Sequence, residues 1–155
     1  MTANEVQQAQ QPSAEPDQFD TETLARLVRS TPDELLKEGL RKNREVMFRE
    51  IFRRFPERLT EEGKRQAGVI KFKISAEGGE VDRWFVALRN GECETGQDSE
   101  ETPRTTISLD ALNFLKLVTG NANPIELFLR RRIRVYGDLI FAAKLSGFFS
   151  IPSKR

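Results

Sequence analysis

Two neighbouring stretches of alternating apolar and polar residues place the strongest constraint on the fold of this chain. Residues 69–75 read VIKFKIS and residues 81–89 read VDRWFVALR, so large apolar side chains recur at every second position. This period of two is typical of strands that bury one face against a core. Asn90-Gly91 then predicts a two-residue hairpin turn, which makes residues 92–96 the antiparallel partner of the second strand. Other elements must therefore cover an apolar sheet face.

Helices are predicted ahead of these strands. Residues 1–20 are rich in Gln, Pro and acidic residues and have almost no large apolar side chains, which predicts a disordered tail. Residues 21–65 are predicted to form a helical extension that packs on the sheet, and residues 66–155 to form the main domain. Within the extension, we expect Thr31 to cap a helix that ends near Gly39.

A separate amphipathic helix is predicted to follow. Its apolar residues recur at steps of three and four, and its arginines lie mostly elsewhere. A basic amphipathic helix suits a membrane surface or a nucleic acid, but glutamates at 45, 50 and 57 interleave with the arginines. We therefore favour a helix that covers the sheet. The apolar face consists of Met47, Phe48, Ile51, Phe52, Phe55 and Leu59.

The second half of the chain alternates between strands and helices. The predicted elements are a strand over 104–109, a helix over 111–120, a short helix over 124–130, a strand over 131–136 and a final helix that begins after Gly137 with Asp138 as its cap. The whole pattern predicts an α+β fold in which helices cover a five-stranded, mostly antiparallel sheet.

The last predicted helix is unusually apolar. From residue 139 to residue 149 only Lys144 and Ser146 carry polar side chains, so the helix would be apolar around most of its circumference. Such a helix must be buried on several sides. Periodicity leaves two alternatives open, a tightly packed core or an apolar cavity that a ligand fills.

The residue inventory argues against enzymatic activity. The chain contains no histidine, the commonest general base and transition-metal ligand, and no glycine-rich phosphate loop. Cys93 lies between Glu92 and Glu94, whose charges are expected to raise the pKa of the thiol and to disfavour a nucleophilic thiolate. We expect no catalytic residue, no metal site and no cofactor. A single cysteine is typical of a reducing cytoplasm, which is the expected location.

Several landmarks in order resemble the sterol carrier protein type two family, in particular its stand-alone actinobacterial members, over about residues 69–149. They are VIKFKI; Trp84, Val86 and Leu88 before Asn90-Gly91; TTISL; Thr119-Gly120; Asn123-Pro124; IRVYGD; and Ala142, Ala143, Lys144 and Leu145. The resemblance implies a sandwich with an apolar tunnel that takes fatty acids, fatty acyl-CoA or sterol-like lipids, lined by the fifth strand and the last helix. The ligand contacts expected here are Ile107, Leu112, Leu115, Phe128, Ile133, Val135, Leu139, Ala142, Ala143 and Phe148.

Two features of the chain depart from the resembled pattern. Arg131-Arg132 stands where family members commonly carry Gly-Lys or a similar pair, and the chain ends in Ser-Lys-Arg, which is not the peroxisomal tripeptide of many eukaryotic members. We expect Arg131, Arg132 and Arg134 to hold an acidic headgroup. The alternative is that these arginines form a solvated strand edge whose positive charge balances the acidic residues of the hairpin predicted at Asn90-Gly91.

The leading hypothesis is a non-enzymatic carrier for an apolar ligand. The alternative is a protein–protein interaction module of the same fold with a filled core. Nucleic-acid binding is disfavoured because the net charge is only +1. A homodimer, a protein partner and transient membrane contact stay open, and no run of residues is apolar enough to predict a transmembrane segment.

Overall fold

One five-stranded sheet organises the computed structural model, which describes residues 20–151. Its order is β3-β2-β1-β4-β5, and only the pair β1–β4 is parallel. The predicted α+β class and the mostly antiparallel sheet are confirmed. The strands are β1 (Gly68–Ser75), β2 (Val81–Arg89), β3 (Glu92–Gln97), β4 (Thr105–Asp110) and β5 (Ile133–Gly137).

Of the described α-helices, three precede the sheet in the sequence, two lie between β4 and β5, and one follows β5. The α-helices are α1 (Thr21–Ser30), α2 (Asp33–Arg53), α3 (Glu61–Lys64), α4 (Ala111–Val118), α5 (Pro124–Leu129) and α6 (Leu139–Ala143), and 3₁₀ turns occupy Pro56–Arg58 and Leu145–Gly147. Within residues 20–151, no helix combines the length and apolarity that crossing a bilayer requires. The predicted disordered tail lies, except for Asp20, outside the described residues.

The two faces of strand β1 differ in polarity from residue 70 to residue 74. In β1, Ile70, Phe72 and Ile74 are buried, whereas Lys71 and Lys73 lie on the other face. The alternation predicted for this strand is therefore confirmed. Because a strand places successive side chains on opposite faces, the apolar face is the one that the helices must cover.

An aromatic cluster fixes helix α2 on the apolar face. The Phe52 ring lies parallel to Trp84, with 4.6 Å between the ring centroids and 3° between the planes. It also stacks on Phe114 of α4, at 5.3 Å, and meets the edge of Phe72 at 5.6 Å. Phe52 and Phe48 are completely buried, as the spacing of the apolar face predicts. These rings fill the space between α2, α4 and the β1–β2 half of the sheet.

The expected break near Gly39 is wrong. Helix α2 runs from Asp33 to Arg53 and its kink lies at Asn43, whose φ and ψ are −130° and 19°. Gly39 stays helical, while the Asn43 side-chain amide donates to the Gly39 carbonyl over 3.4 Å. Thr31 is not the cap either, because Pro32 occupies that position and the Thr31 hydroxyl donates to the Leu27 carbonyl at the end of α1.

The helix in the last apolar segment is also shorter than expected. Asp138 caps α6 as predicted, by accepting from the Phe141 amide over 2.9 Å, but α6 ends at Ala143 and a 3₁₀ turn follows. The chain then turns back, and the Thr60 amide donates to the Phe148 carbonyl over 2.9 Å. The backbone pairing with the α2–α3 connection replaces further helical hydrogen bonds.

The fifth strand begins later than the predicted residue 131. Arg131 takes a left-handed conformation with φ of 63° and ends helix α5, so it cannot belong to an extended strand. Strand β5 therefore starts at Ile133.

We expect Phe52→Ala to lower the free energy of unfolding by about 3–5 kcal/mol, because it removes a buried ring that contacts four other aromatic side chains. Urea denaturation would measure the loss. Leu35→Ala is the control, since Leu35 of α2 is 61% exposed and should change stability by less than about 1 kcal/mol. Equal losses in the two variants would contradict this account of the core.

Candidate ligand-binding site

A large pocket lies between the sheet and the C-terminal helices. Its volume is about 810 Å³, within the range of roughly 300–1,000 Å³ common for small-molecule sites. The sheet contributes one wall through its apolar face, on strands β1, β2, β4 and β5. The side chains of this wall are Ile70, Phe72, Val86, Ile107, Ile133 and Val135.

Short helices and turns form the remaining walls. Asn123 accepts from the amides of Ile125 and Glu126 and so starts α5, and Asp138 starts α6 in the same way. These two caps place both helices beside β5. The wall residues from this part of the chain are Leu117, Val118, Gly120, Ala122, Pro124, Ile125, Phe128, Leu139, Ala142, Ala143, Leu145, Ser146, Gly147, Phe149, Ser150 and Ile151, and the α2–α3 connection adds Phe55 and Thr60.

The wall is poor in polar groups. Among the described residues that line it, no side chain is ionisable, and the hydroxyls belong to Thr60, Ser146 and Ser150. The Thr60 hydroxyl is already satisfied, because it donates to the Gly147 carbonyl over 2.7 Å and accepts from the Gly63 amide over 3.0 Å. A hydrocarbon can enter such a pocket at little cost, whereas an ionised group there would lose its hydration without a charged partner.

Exposed wall residues mark the mouth of the pocket. Ile125, Phe128 and Leu139 line the pocket and are nevertheless 69%, 50% and 56% exposed. Side chains that face both the pocket and solvent must lie at its opening. The mouth is therefore formed by α5 on one side and α6 on the other.

A smaller hollow of about 100 Å³ adjoins the pocket under helices α1 and α2. The two share five wall residues, Phe55, Val118, Phe149, Ser150 and Ile151.

The structure places seven of the ten predicted contact residues on the pocket wall: Ile107, Phe128, Ile133, Val135, Leu139, Ala142 and Ala143. The other three belong to the core beside it. Leu115 is completely buried, Phe148 is completely buried with its ring 5.3 Å from that of Phe141, and Leu112 packs partly buried against the core. Ligand contact by these residues stays a prediction.

The three predicted headgroup arginines lie outside the wall described here. Arg131 and Arg132 are exposed in the turn after α5. Arg134 pairs in register with Ser108 on the sheet face opposite Ile133 and Val135, so its side chain points away from the pocket. A headgroup role for Arg131 and Arg132 would therefore operate at the mouth.

Sequence reasoning did not assign several wall residues to the site. Phe55 was predicted only as part of the apolar face of a helix, and Phe149 only as part of the apolar last segment. Their periodicity indicates burial but does not separate a filled core from a pocket. Ala122 and Gly120 carry no apolar signal, and their proximity to the pocket follows from the position of the α4–α5 loop.

The described residues offer little support for a metal site or a nucleophilic thiol. Residues 20–151 contain no cluster of three or more potential metal ligands. Burial raises the pKa of the Cys93 thiol to about 11. The raised pKa of this thiol agrees with the expectation. Its cause differs from the expected one, because the pKa is raised by removal of the thiol from water and not by the charges of Glu92 and Glu94.

Comparison with known proteins identifies the family of this chain. A sequence model described as the SCP-2 sterol transfer family matches residues 48–150. The chain belongs to this family, so the expected resemblance to the sterol carrier protein type two family is confirmed.

Individual relatives agree with the assignment. Sterol carrier protein 2 of Rattus norvegicus is 27% identical over 82% of this chain and 23% of its own length. A fatty acid-binding protein of Yarrowia lipolytica is 30% identical over 54% of this chain and 67% of its own length. The solution structure of palmitated SCP2L2 from Aedes aegypti superposes with a TM-score of 0.52 at 22% identity, over 72% of this chain and 97% of that chain. The chain spans less than a quarter of the length of the first curated relatives it matches.

We expect iodoacetamide to alkylate Cys93 in the folded protein far more slowly than in urea-unfolded protein at about pH 8, because an exposed thiol with a pKa near 8.5 is partly ionised there. The rate in the folded protein should rise as the pH approaches 11, the pKa of the partly buried thiol. Mass spectrometry of quenched samples measures the rate. Equal rates in both states would contradict a protected thiol.

Proposed function

We propose that the protein is a non-enzymatic carrier for an apolar lipid, namely a fatty acid, a fatty acyl-CoA or a sterol-like molecule. The observation that carries the proposal is the pocket of about 810 Å³ whose described wall has no ionisable side chain. Family membership supports it. So does the palmitate on the similarly folded Aedes aegypti protein.

Burial of a hydrocarbon chain supplies the binding energy. Each methylene removed from water contributes about 0.8 kcal/mol, so ten of them contribute about 8 kcal/mol. Association costs about 4–15 kcal/mol in lost freedom, so a ligand must bury most of its chain to bind at micromolar concentrations. The sheet wall and helices α5 and α6 offer apolar contacts on opposite sides of such a chain.

The mouth sets the orientation of the ligand. A carboxylate or phosphate has no charged partner along the described wall, whereas Arg131 and Arg132 lie at the end of α5, next to Phe128 of the mouth. We propose that the hydrocarbon enters first and that the polar end stays at the mouth, near these arginines. The seven predicted contacts on the wall would touch the hydrocarbon.

Displacement of a fluorescent fatty acid from delipidated protein tests the proposal. We expect binding at micromolar concentrations, with unlabelled fatty acid, acyl-CoA and a sterol compared as competitors. Delipidated protein that binds none of these ligands would contradict the carrier function. A ligand-free homodimer in native mass spectrometry, together with absent lipid binding, would instead favour the interaction module.

We expect Ala142→Trp to weaken fatty acid binding at least about tenfold, because the indole would occupy volume between α6 and the sheet wall. The matched control is Ala76→Trp, in the turn after β1 and away from the pocket wall. The control should bind like the wild type. Thermal unfolding of both variants separates pocket filling from loss of the fold, and unchanged affinity in folded Ala142→Trp protein would contradict the assigned site.

A further inference from the structure

Two aromatic rings stand where the pocket meets the smaller hollow under α1 and α2. Of the residues common to both walls, Phe55 and Phe149 carry the largest side chains. Their ring centroids are 5.1 Å apart and their planes are inclined by 48°. The two rings therefore form much of the boundary between the pocket and the hollow of about 100 Å³ beyond it. We call Phe55 and Phe149 the aromatic partition.

Backbone pairing holds Phe149 in this position. Leu59 and Phe149 form an antiparallel bridge, and hydrogen bonds of 2.9 and 2.8 Å join the two backbones on either side of it. An extended segment places successive side chains on opposite sides. Phe148 is accordingly buried in the core, whereas Phe149 lies on the pocket side. The direction of the Phe149 side chain is thus set by the pairing of its backbone.

The second ring of the aromatic partition is supported by the core. Phe55 stacks on Phe52, with 5.1 Å between the ring centroids and 28° between the planes. Phe52 is itself completely buried among other aromatic rings. A closely packed interior resists displacement of its side chains, so Phe55 cannot retreat towards the core. The partition is therefore a fixed part of the pocket wall.

The hollow beyond the partition can accept hydrocarbon. The Glu50 carboxylate in its wall accepts from Arg53 over 2.7 Å and from Arg54 over 3.4 Å. The Nε of Arg58 donates to the Ser150 carbonyl over 2.7 Å. Since these charged groups already have partners, an apolar chain end placed in the hollow would leave no ion unpaired. The apolar side chains of the hollow wall, apart from those shared with the pocket, are Leu24, Met47 and Ile51.

We infer that the aromatic partition sets the maximum length of the hydrocarbon chain that the pocket accepts, with Phe149 as the residue that the end of the chain meets. The inference rests on the carrier function proposed above, in which the polar end stays at the mouth. The mouth residues are half exposed or more, whereas Phe149 is 7% exposed, so the partition belongs to the closed part of the pocket. Removal of either ring would open the hollow as an additional subsite.

A homologous series of saturated fatty acids, from decanoate to docosanoate, tests the inference on the full delipidated chain by displacement of a fluorescent fatty acid. In the wild type, each added methylene should raise the affinity about fourfold until the chain reaches the partition, and further methylenes should add nothing. In Phe149→Ala this limit should move to chains longer by at least about two carbons, because the hollow then offers further apolar wall.

Refilling the hollow separates a length limit from a general loss of packing. Met47 lines the hollow and not the pocket, so Met47→Phe alone should keep the length limit of the wild type. Added to Phe149→Ala, it should move the limit back towards shorter chains by occupying the hollow. Ile125→Ala, at the mouth, is the matched control in the pocket wall and should change the affinity for every chain length by the same factor. Phe55→Ala should shift the limit as Phe149→Ala does, and it replaces that variant if Phe149→Ala does not fold.

Three outcomes would overturn the inference. The first is an affinity that rises along the whole series in the wild type, which would mean that the partition sets no limit. The second is an unchanged limit in partition variants that thermal unfolding shows to be folded. The third is a shifted limit that Met47→Phe does not reverse, which would exclude the hollow as the added subsite. Wild-type protein that binds no fatty acid of the series contradicts the carrier function itself, whereas binding with a limit that the variants do not move contradicts the role of the partition alone.

Discussion

The stacking of Phe52 on Trp84 and Phe114 determines which helices cover which part of the apolar sheet face. It holds α2 and α4 against the part of strands β1 and β2 that carries Phe72 and Trp84. The apolar residues of β4 and β5 must then be covered by whatever follows in the chain. Helices α5 and α6 are only six and five residues long, so they enclose this half of the sheet without filling it. The pocket lies between these helices and the sheet, and it also reaches Ile70, Phe72 and Val86 beside the aromatic cluster.

The polar groups of the chain are distributed in a way that suits this arrangement. Salt bridges such as Arg41–Glu77 and Arg44–Asp82 join α2 to the β1–β2 turn and to β2, and Arg104–Asp138 joins the start of β4 to the start of α6. These pairs lie outside the pocket wall. The described wall is left to apolar side chains and the hydroxyl groups of Thr60, Ser146 and Ser150.

Much of the fold follows from local patterns in the sequence. The alternation of residues 69–75, the Asn90-Gly91 turn and the caps at Asn123 and Asp138 determine which segments are strands and where helices α5 and α6 begin, because these signals act over a few residues. Only the tertiary structure decided that the segment after Ala143 leaves the helix, and that Phe148 fills the core while Phe149 faces the pocket. The period of a pattern tells which side chains are buried, but the volume left between them depends on the spacing of elements distant in sequence.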